Sequence, residues 1–339
     1  MAVSDHEPER AEVGIRAKAR VVVRQLVGRS ERLGAALAWV ITWMARLSER
    51  QVGLIVMYHG VTHSPEPLSI APVVDSRQFA EDLRRFCCQY LPVPLERLDE
   101  AIIARRRGGR IPIAITFDDD LDSHVRVALP LLEQAGVHAT FFVGGDEQAC
   151  RRSYWWEPLQ RALERGIALP EHPALVRTGR DPERLATAML ELTQQERQAV
   201  TEELWRELAP DEPPAHLSIE GLSMLVQGGQ QIGFHTRDHR VLTDLNSREL
   251  SDALTLGLSN VAEIAGYAVR TLAYPHGITD DRVSAAAAAA GFVRGLTCEA
   301  CGVTPTTDPL RLGRVDADAG SSALLALRLA RALVRGLAP

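Results

Sequence analysis

Long apolar runs, regularly spaced cysteines, surplus positive charge and lysine are all scarce in this chain of 339 residues. The longest telling uncharged stretch, Leu33–Ala45, is too short to cross a membrane, which takes about 20 apolar residues. It also lies well away from the first residue and lacks a small-residue cleavage site, so it does not read as a cleavable leader. The five cysteines (Cys87, Cys88, Cys150, Cys298 and Cys301) are odd in number and irregular in spacing, unlike a secreted disulfide framework. Cys298-Glu299-Ala300-Cys301 is a lone C-x-x-C with no second pair and no thioredoxin-like context, and reads as ordinary thiols. A formal net charge of −6, with no basic stripe carrying interleaved aromatics, argues against a nucleic-acid partner. Lys18 is the only lysine; the remaining basic residues are arginine, which reads as coding bias. The location expected from these absences is the cytoplasm, or a peripheral position on the inner membrane surface.

Against this background one stretch stands out. Ile113-Ala114-Ile115-Thr116-Phe117 reads as a strand buried on both faces, and it ends abruptly in Asp118-Asp119-Asp120. Carboxylates at the C-terminal end of a buried strand occupy the place where barrel folds put their chemistry. Three adjacent acids repel one another, so a compact cation nearby is one solution, and a solvated acidic loop is the other. Far downstream a second short apolar strand, Ile232-Gly233-Phe234, runs into His235-Thr236-Arg237-Asp238-His239. Two imidazoles four residues apart on a helical turn can share one metal ion. An Asp with His235 and His239 makes three ligands and leaves a position open for water, the pattern of a catalytic rather than a closed structural site.

These residues make the chain resemble the polysaccharide deacetylases, the NodB-homology carbohydrate esterases. Thr116-Phe117-Asp118-Asp119 is similar to the family's T-F-D-D motif, and His235–His239 to its H-[ST]-x-x-H motif. Val56–Val61 and Ala139–Val143 resemble its flanking strands, and Tyr274-Pro275-His276-Gly277 a variant of its third motif. The resemblance implies a distorted (β/α)7-type barrel. It implies Asp118 as general base and Asp119, His235 and His239 as ligands of a divalent metal, zinc first, with cobalt, manganese or nickel as alternatives. The implied activity is removal of N-acetyl groups from an amino sugar in a glycan or glycan precursor. Rival readings are a deformylase or amidase acting on a lipid-linked sugar, and a non-catalytic glycan-binding relative. Three departures stand out. Asp120 occupies a place where the family usually has Gly. Ala273 and His276 stand where an Arg that orients the base and an aromatic are common. No histidine follows His276, so the general acid falls to His276 or His59. Tyr274 and Pro275 are expected to wall the substrate groove, and Trp155 and Trp156 are candidate platforms for a sugar ring, with burial as the alternative.

The rest of the chain divides around that frame. Residues 1–50 read as an N-terminal helical extension, in which Leu33, Leu37, Val40, Ile41, Met44 and Leu47 form an apolar stripe. Arg16, Lys18, Arg20, Arg24, Arg29 and Arg32 precede or enter it. Such a helix either packs on the barrel or a second subunit, or makes peripheral membrane contact through residues 13–50. Residues 51–320 alternate strand and helix as a parallel sheet requires, interrupted at about 145–216 by a proline-punctuated helical insertion. Residues 321–339 read as a C-terminal helix. Ser76, Ser123 and Ser218 are expected helix caps.

Overall fold

The run Ile111–Phe117 is buried at every residue and has a parallel neighbour on each side, as its unbroken apolar sequence requires. The computed structural model describes residues 31–63, 70, 73–146, 154–208, 216–317 and 320–335. The readings of residues 1–30, Cys150, Pro213 and Pro214 lie outside these. Among the described residues helix α1 (Glu31–Leu47) comes first. The strands are β1 (Leu54–Tyr58), β2 (Gly60–Thr62), β3 (Val73–Asp75), β4 (Tyr90–Pro92), β5 (Ile111–Phe117), β6 (Ala139–Val143), β7 (Gln231–Phe234), β8 (Thr271–Ala273), β9 (Arg294–Leu296) and β10 (Val315–Asp316).

Among the described residues the main sheet runs β10-β1-β5-β6-β7-β8-β9, with β4 alongside the start of β5, and every pairing is parallel. One segment brings the ends together. Leu312 bridges Leu296 in parallel, and Val315 and Asp316 then pair with Val56 and Met57. The sheet thereby curls into a distorted (β/α) barrel.

Period-two alternation divides the core in two. Leu54, Val56, Tyr58, Ile113, Ile115 and Phe117 enter the layer beneath the helices. Ile55, Ala114, Phe142, Ala273 and Leu296 enter the barrel interior. At the start of β1, Gly53 lies so close to Leu98 and Ile102 that a Cβ there would come within 2.8 Å of Ile102, so the helix Leu98–Ala104 packs tightly against that end. The opposite, C-terminal ends of the strands carry the polar residues.

The C-terminal helix Ser322–Arg335 adds Leu325, Leu329, Ala332 and Leu333 to the same core as β1 and β10. Helix α1 packs by its small residues: Ala38 meets Ala326 and Ala330, and Thr42 Oγ1 lies 3.2 Å from the Tyr90 hydroxyl. The large apolar stripe read from the sequence is therefore not its packing face; among the described side chains of that stripe, Ile41 alone joins the contact. Alanine on both helices permits the close approach that leucine and methionine would prevent.

Two caps differ from expectation. Asp75, not Ser76, caps its helix by accepting from the Arg77 N–H. Ser123 makes no cap; its hydroxyl accepts from the Val61 N–H, and a π-turn, His124–Ala128, opens the next helix. Ser218 caps as expected, accepting from the Gly221 N–H. Residues 154–208 belong to a second compact unit. Its described helices enclose a core of their own, built from Leu159, Leu175, Leu185, Met189, Val200 and Leu204.

Candidate active site

The three aspartates after β5 are all buried, and each has a different partner. The Asp118 N–H donates to the Tyr58 carbonyl (3.0 Å), so the β1–β5 ladder reaches one residue past the strand. Asp118 therefore keeps the inward register of Ala114 and Thr116. The backbone then turns sharply, with φ of 78° at Asp119 and 46° at Asp120. Among the described residues, the non-glycine residues with positive φ are these two, Thr236, His239 and His276. All five lie at the C-terminal ends of β5, β7 and β8. Backbone strain gathered in this way is a mark of a functional site.

Asp118 meets Arg314. The guanidinium lies fork to fork on the carboxylate, Nη1 to Oδ1 at 2.8 Å and Nη2 to Oδ2 at 2.7 Å, and neither side chain is more than 3% exposed. Nε of Arg314 donates to the Thr297 carbonyl, and its guanidinium carbon sits 5.7 Å from the centre of the Phe142 ring. Burial opposes ionisation of Asp118, but Arg314, with His235 and His59, outweighs it and holds the carboxyl below the usual range. The same pairing raises the pKa of Arg314 despite its burial, so it stays charged.

Asp119 meets the histidines. Its Oδ1 lies 3.3 Å from His235 Nε2 and 3.4 Å from His239 Nε2, and its Oδ2 lies 3.9 Å from His59 Nε2. The Nδ1–H of His235 donates to the Ala273 carbonyl (2.8 Å), which fixes the ring and turns Nε2 toward Asp119. The His235 and His239 rings meet edge to face at 4.8 Å, and His276 lies 4.8 Å beyond His239, on the exposed rim. The His-x-x-x-His segment is a turn rather than a helix. Left-handed Thr236 and His239 bring its imidazoles together, and the Thr236 hydroxyl accepts from the His239 N–H. Burial opposes the charged form of Asp119, but the two ligand-like histidines and His59 hold its carboxyl well below the usual range.

Asp120 turns away from both groups and accepts from the Gly144 N–H with both oxygens, at 2.8 and 3.1 Å. It neither faces solvent nor joins the histidines, and burial pushes its pKa up to about 6. His124 is also interior: Nε2–H donates to the His59 carbonyl, the ring packs on Phe117 and Phe141, and burial drives its pKa down to about 4.

The expectations for Tyr274 and Pro275 change here, and Trp155 takes the alternative of burial. Tyr274 has no exposed surface; its hydroxyl donates to the Leu310 carbonyl (2.9 Å), so it is a packing residue of the barrel wall. Pro275 is buried beside it. Trp155 is only 9% exposed and lies in the core formed by the helices of residues 154–208, with Trp156 half-buried against that core and stacked on Tyr154. Cys298 packs against Met57 and Arg314 as an interior thiol. Arg314 is the residue that sequence reasoning missed. Its signal was a charged residue set between Leu312 and Val315 in a short, otherwise uncharged run, where burial demands an ionic partner.

The polysaccharide deacetylase family model matches residues 105–207 and 215–295, more than half of the chain. The chain belongs to the polysaccharide deacetylase family. It is accordingly a hydrolase of amide (N-acetyl) bonds. The matched region of this deacetylase takes in Asp118, Asp119, His235, His239 and His276, but not His59 or Arg314. Solved structures repeat the fold. The Streptococcus pyogenes deacetylase PplD, in complex with acetate, is 16% identical, with a TM-score of 0.56 over 83% of this chain and 98% of its own. A polysaccharide deacetylase from Bacillus cereus is 15% identical, with a TM-score of 0.54 over 82% of this chain and 69% of its own. IcaB from Ammonifex degensii is 18% identical, with a TM-score of 0.52 over 83% and 97%. No curated protein sequence matches the chain.

Proposed function

We propose that the chain is a metal-dependent de-N-acetylase acting on an N-acetylated amino sugar within a glycan or glycan precursor. The observation that carries this reading is the division of labour between adjacent carboxylates. Asp119 stands with His235 and His239, while Asp118 stands apart, ionised and held by Arg314.

The Asp119 group fits a divalent cation. One oxygen and two imidazole nitrogens lie within 4.8 Å of one another. Asp119 Oδ1 is a buried acceptor with no well-formed hydrogen bond, and the Nδ1–H bond of His235 leaves its Nε2 as the nitrogen available to an ion. Such a convergence of buried lone pairs is costly unless a cation neutralises it. Zinc suits this donor set, with cobalt, manganese or nickel as alternatives, and the bound ion would supply Lewis acidity toward the acetyl carbonyl and the attacking water.

The protein's own groups supply the rest. Asp118 takes the proton of the attacking water, and Arg314 keeps the carboxylate ionised and fixed in one orientation. The departing amine needs a proton, and His59 and His276 are the imidazoles beside the Asp119 group that serve as donors. Tyr274 and Trp155 are spent on packing, so sugar recognition falls to other groups.

Replacing Asp118 by Asn tests the reading. An enzyme of this kind retains the ion and loses about 10²- to 10⁴-fold in turnover, the usual contribution of a general base. A variant that releases acetate at the wild-type rate would remove Asp118 from the reaction.

A further inference from the structure

Helix α1 is apolar on every side of its second half. One side is buried against the C-terminal helix and Tyr90. The opposite side carries Leu37, Trp39, Val40, Trp43, Met44 and Leu47, each between 39% and 61% exposed. Six of the sixteen exposed large hydrophobic side chains among the described residues therefore lie on this one helix. A continuous apolar face of this kind marks an interaction surface. A helix hydrophobic all round is normally covered all round.

Three observations say what covers it. The Trp39 and Trp43 rings stack side by side on the open face, 6.4 Å apart and 13° from parallel. Tryptophan is the residue that most favours the boundary between hydrocarbon and water. Next, the face is rimmed by positive charge. Gly108 donates to the Arg46 carbonyl (2.7 Å) and Arg46 reaches back to the Gly108 carbonyl (3.3 Å). The exposed pair Arg106 and Arg107 is thereby tied to the end of α1. Finally, residues 13–32, which lead into the helix, hold Arg16, Lys18, Arg20, Arg24, Arg29 and Arg32 with Glu31 as the only acid, in a chain whose net charge is −6. Among the described residues no helix is long and apolar enough to cross a membrane, so α1 can lie on a bilayer but not span it.

We propose that the open face of α1 docks on the surface of an anionic lipid bilayer. Trp39 and Trp43 enter the headgroup boundary, and the arginine rim meets the lipid phosphates. A second copy of the chain fits less well. A two-fold interface sets each surface against itself, and the rims would bring arginine to arginine.

The test uses the full chain with phosphatidylcholine vesicles, with and without phosphatidylglycerol. The protein sediments with the anionic vesicles, added salt releases it, and it stays in solution with phosphatidylcholine alone. Brominated acyl chains quench the tryptophan emission of the wild-type protein, a readout that needs no variant. Trp39→Ser with Trp43→Ser lowers partitioning at least about tenfold, from the apolar area lost. Because both rings are exposed, the unfolding curve of that variant stays close to wild type. A chain that never sediments with anionic vesicles, or emission that brominated lipid leaves unchanged, overturns the proposal. A self-associated form with both tryptophans shielded in the absence of lipid does so too, and assigns the face to a second copy.

Discussion

Arg314 grips Asp118 through two parallel hydrogen bonds of 2.8 and 2.7 Å in a buried setting, across 196 residues of sequence. The arginine stands in the segment that closes the barrel, between the Leu312 bridge and β10. The segment that closes the sheet therefore also carries the side chain that most favours ionisation of Asp118.

Replacing Arg314 by Met leaves a buried carboxylate without its cation. The loss expected is about 3–5 kcal/mol of stability, read as a lower denaturant midpoint. Turnover changes with a defined pH signature. Asp118 has a depressed pKa, so its active ionised form, and the stability its pairing provides, persist above that value and are lost as pH falls through it. Without Arg314 the acid limb of the kcat/KM profile moves to higher pH. A limb that stays in place would mean that Arg314 braces the wall without acting on Asp118.

Asp120 behaves in the opposite sense. Burial raises its folded pKa to about 6 from an ordinary 3.8, so the folded state favours the neutral acid. Stability therefore falls as pH rises from about 4 to about 6, and the deficit persists above that range. Asp120→Asn keeps an acceptor for the Gly144 N–H and tolerates the left-handed backbone. Measured on chelated protein at neutral pH, it gains about 1–3 kcal/mol, and the melting temperature changes less with pH between 4 and 6. A variant less stable than wild type at neutral pH would show that the ionised carboxylate is wanted there.

Tyr274 separates packing from binding. Tyr274→Phe removes the hydrogen bond to the Leu310 carbonyl and costs about 0.5–1.5 kcal/mol, while KM for an N-acetylated oligosaccharide is unchanged. A raised KM at unchanged stability would return Tyr274 to the substrate groove.

The two motifs that meet at Asp119, His235 and His239 stood out in the sequence because each is a short run of polar residues at the end of an apolar strand. The alternation of a parallel barrel places both at the same rim. Arg314 did not stand out, because its partner lies on a strand joined to it only by closure of the sheet. The five left-handed residues did not, since none is glycine and only the packed site holds them there. Tyr274 was misread, and Trp155 was left open between two roles, for a simpler reason: an aromatic side chain serves a wall or a platform equally well, and only burial separates the two. On α1 the sequence shows a stripe of large apolar residues, and the side that packs is the one bearing alanines.

The most direct measurement is acetate release from N-acetylglucosamine oligomers by purified protein as isolated, after chelation, and after return of one divalent metal. The account predicts that chelation abolishes release and metal restores it, with one ion bound per chain through Asp119, His235 and His239. Release that continues undiminished in fully chelated protein would contradict it.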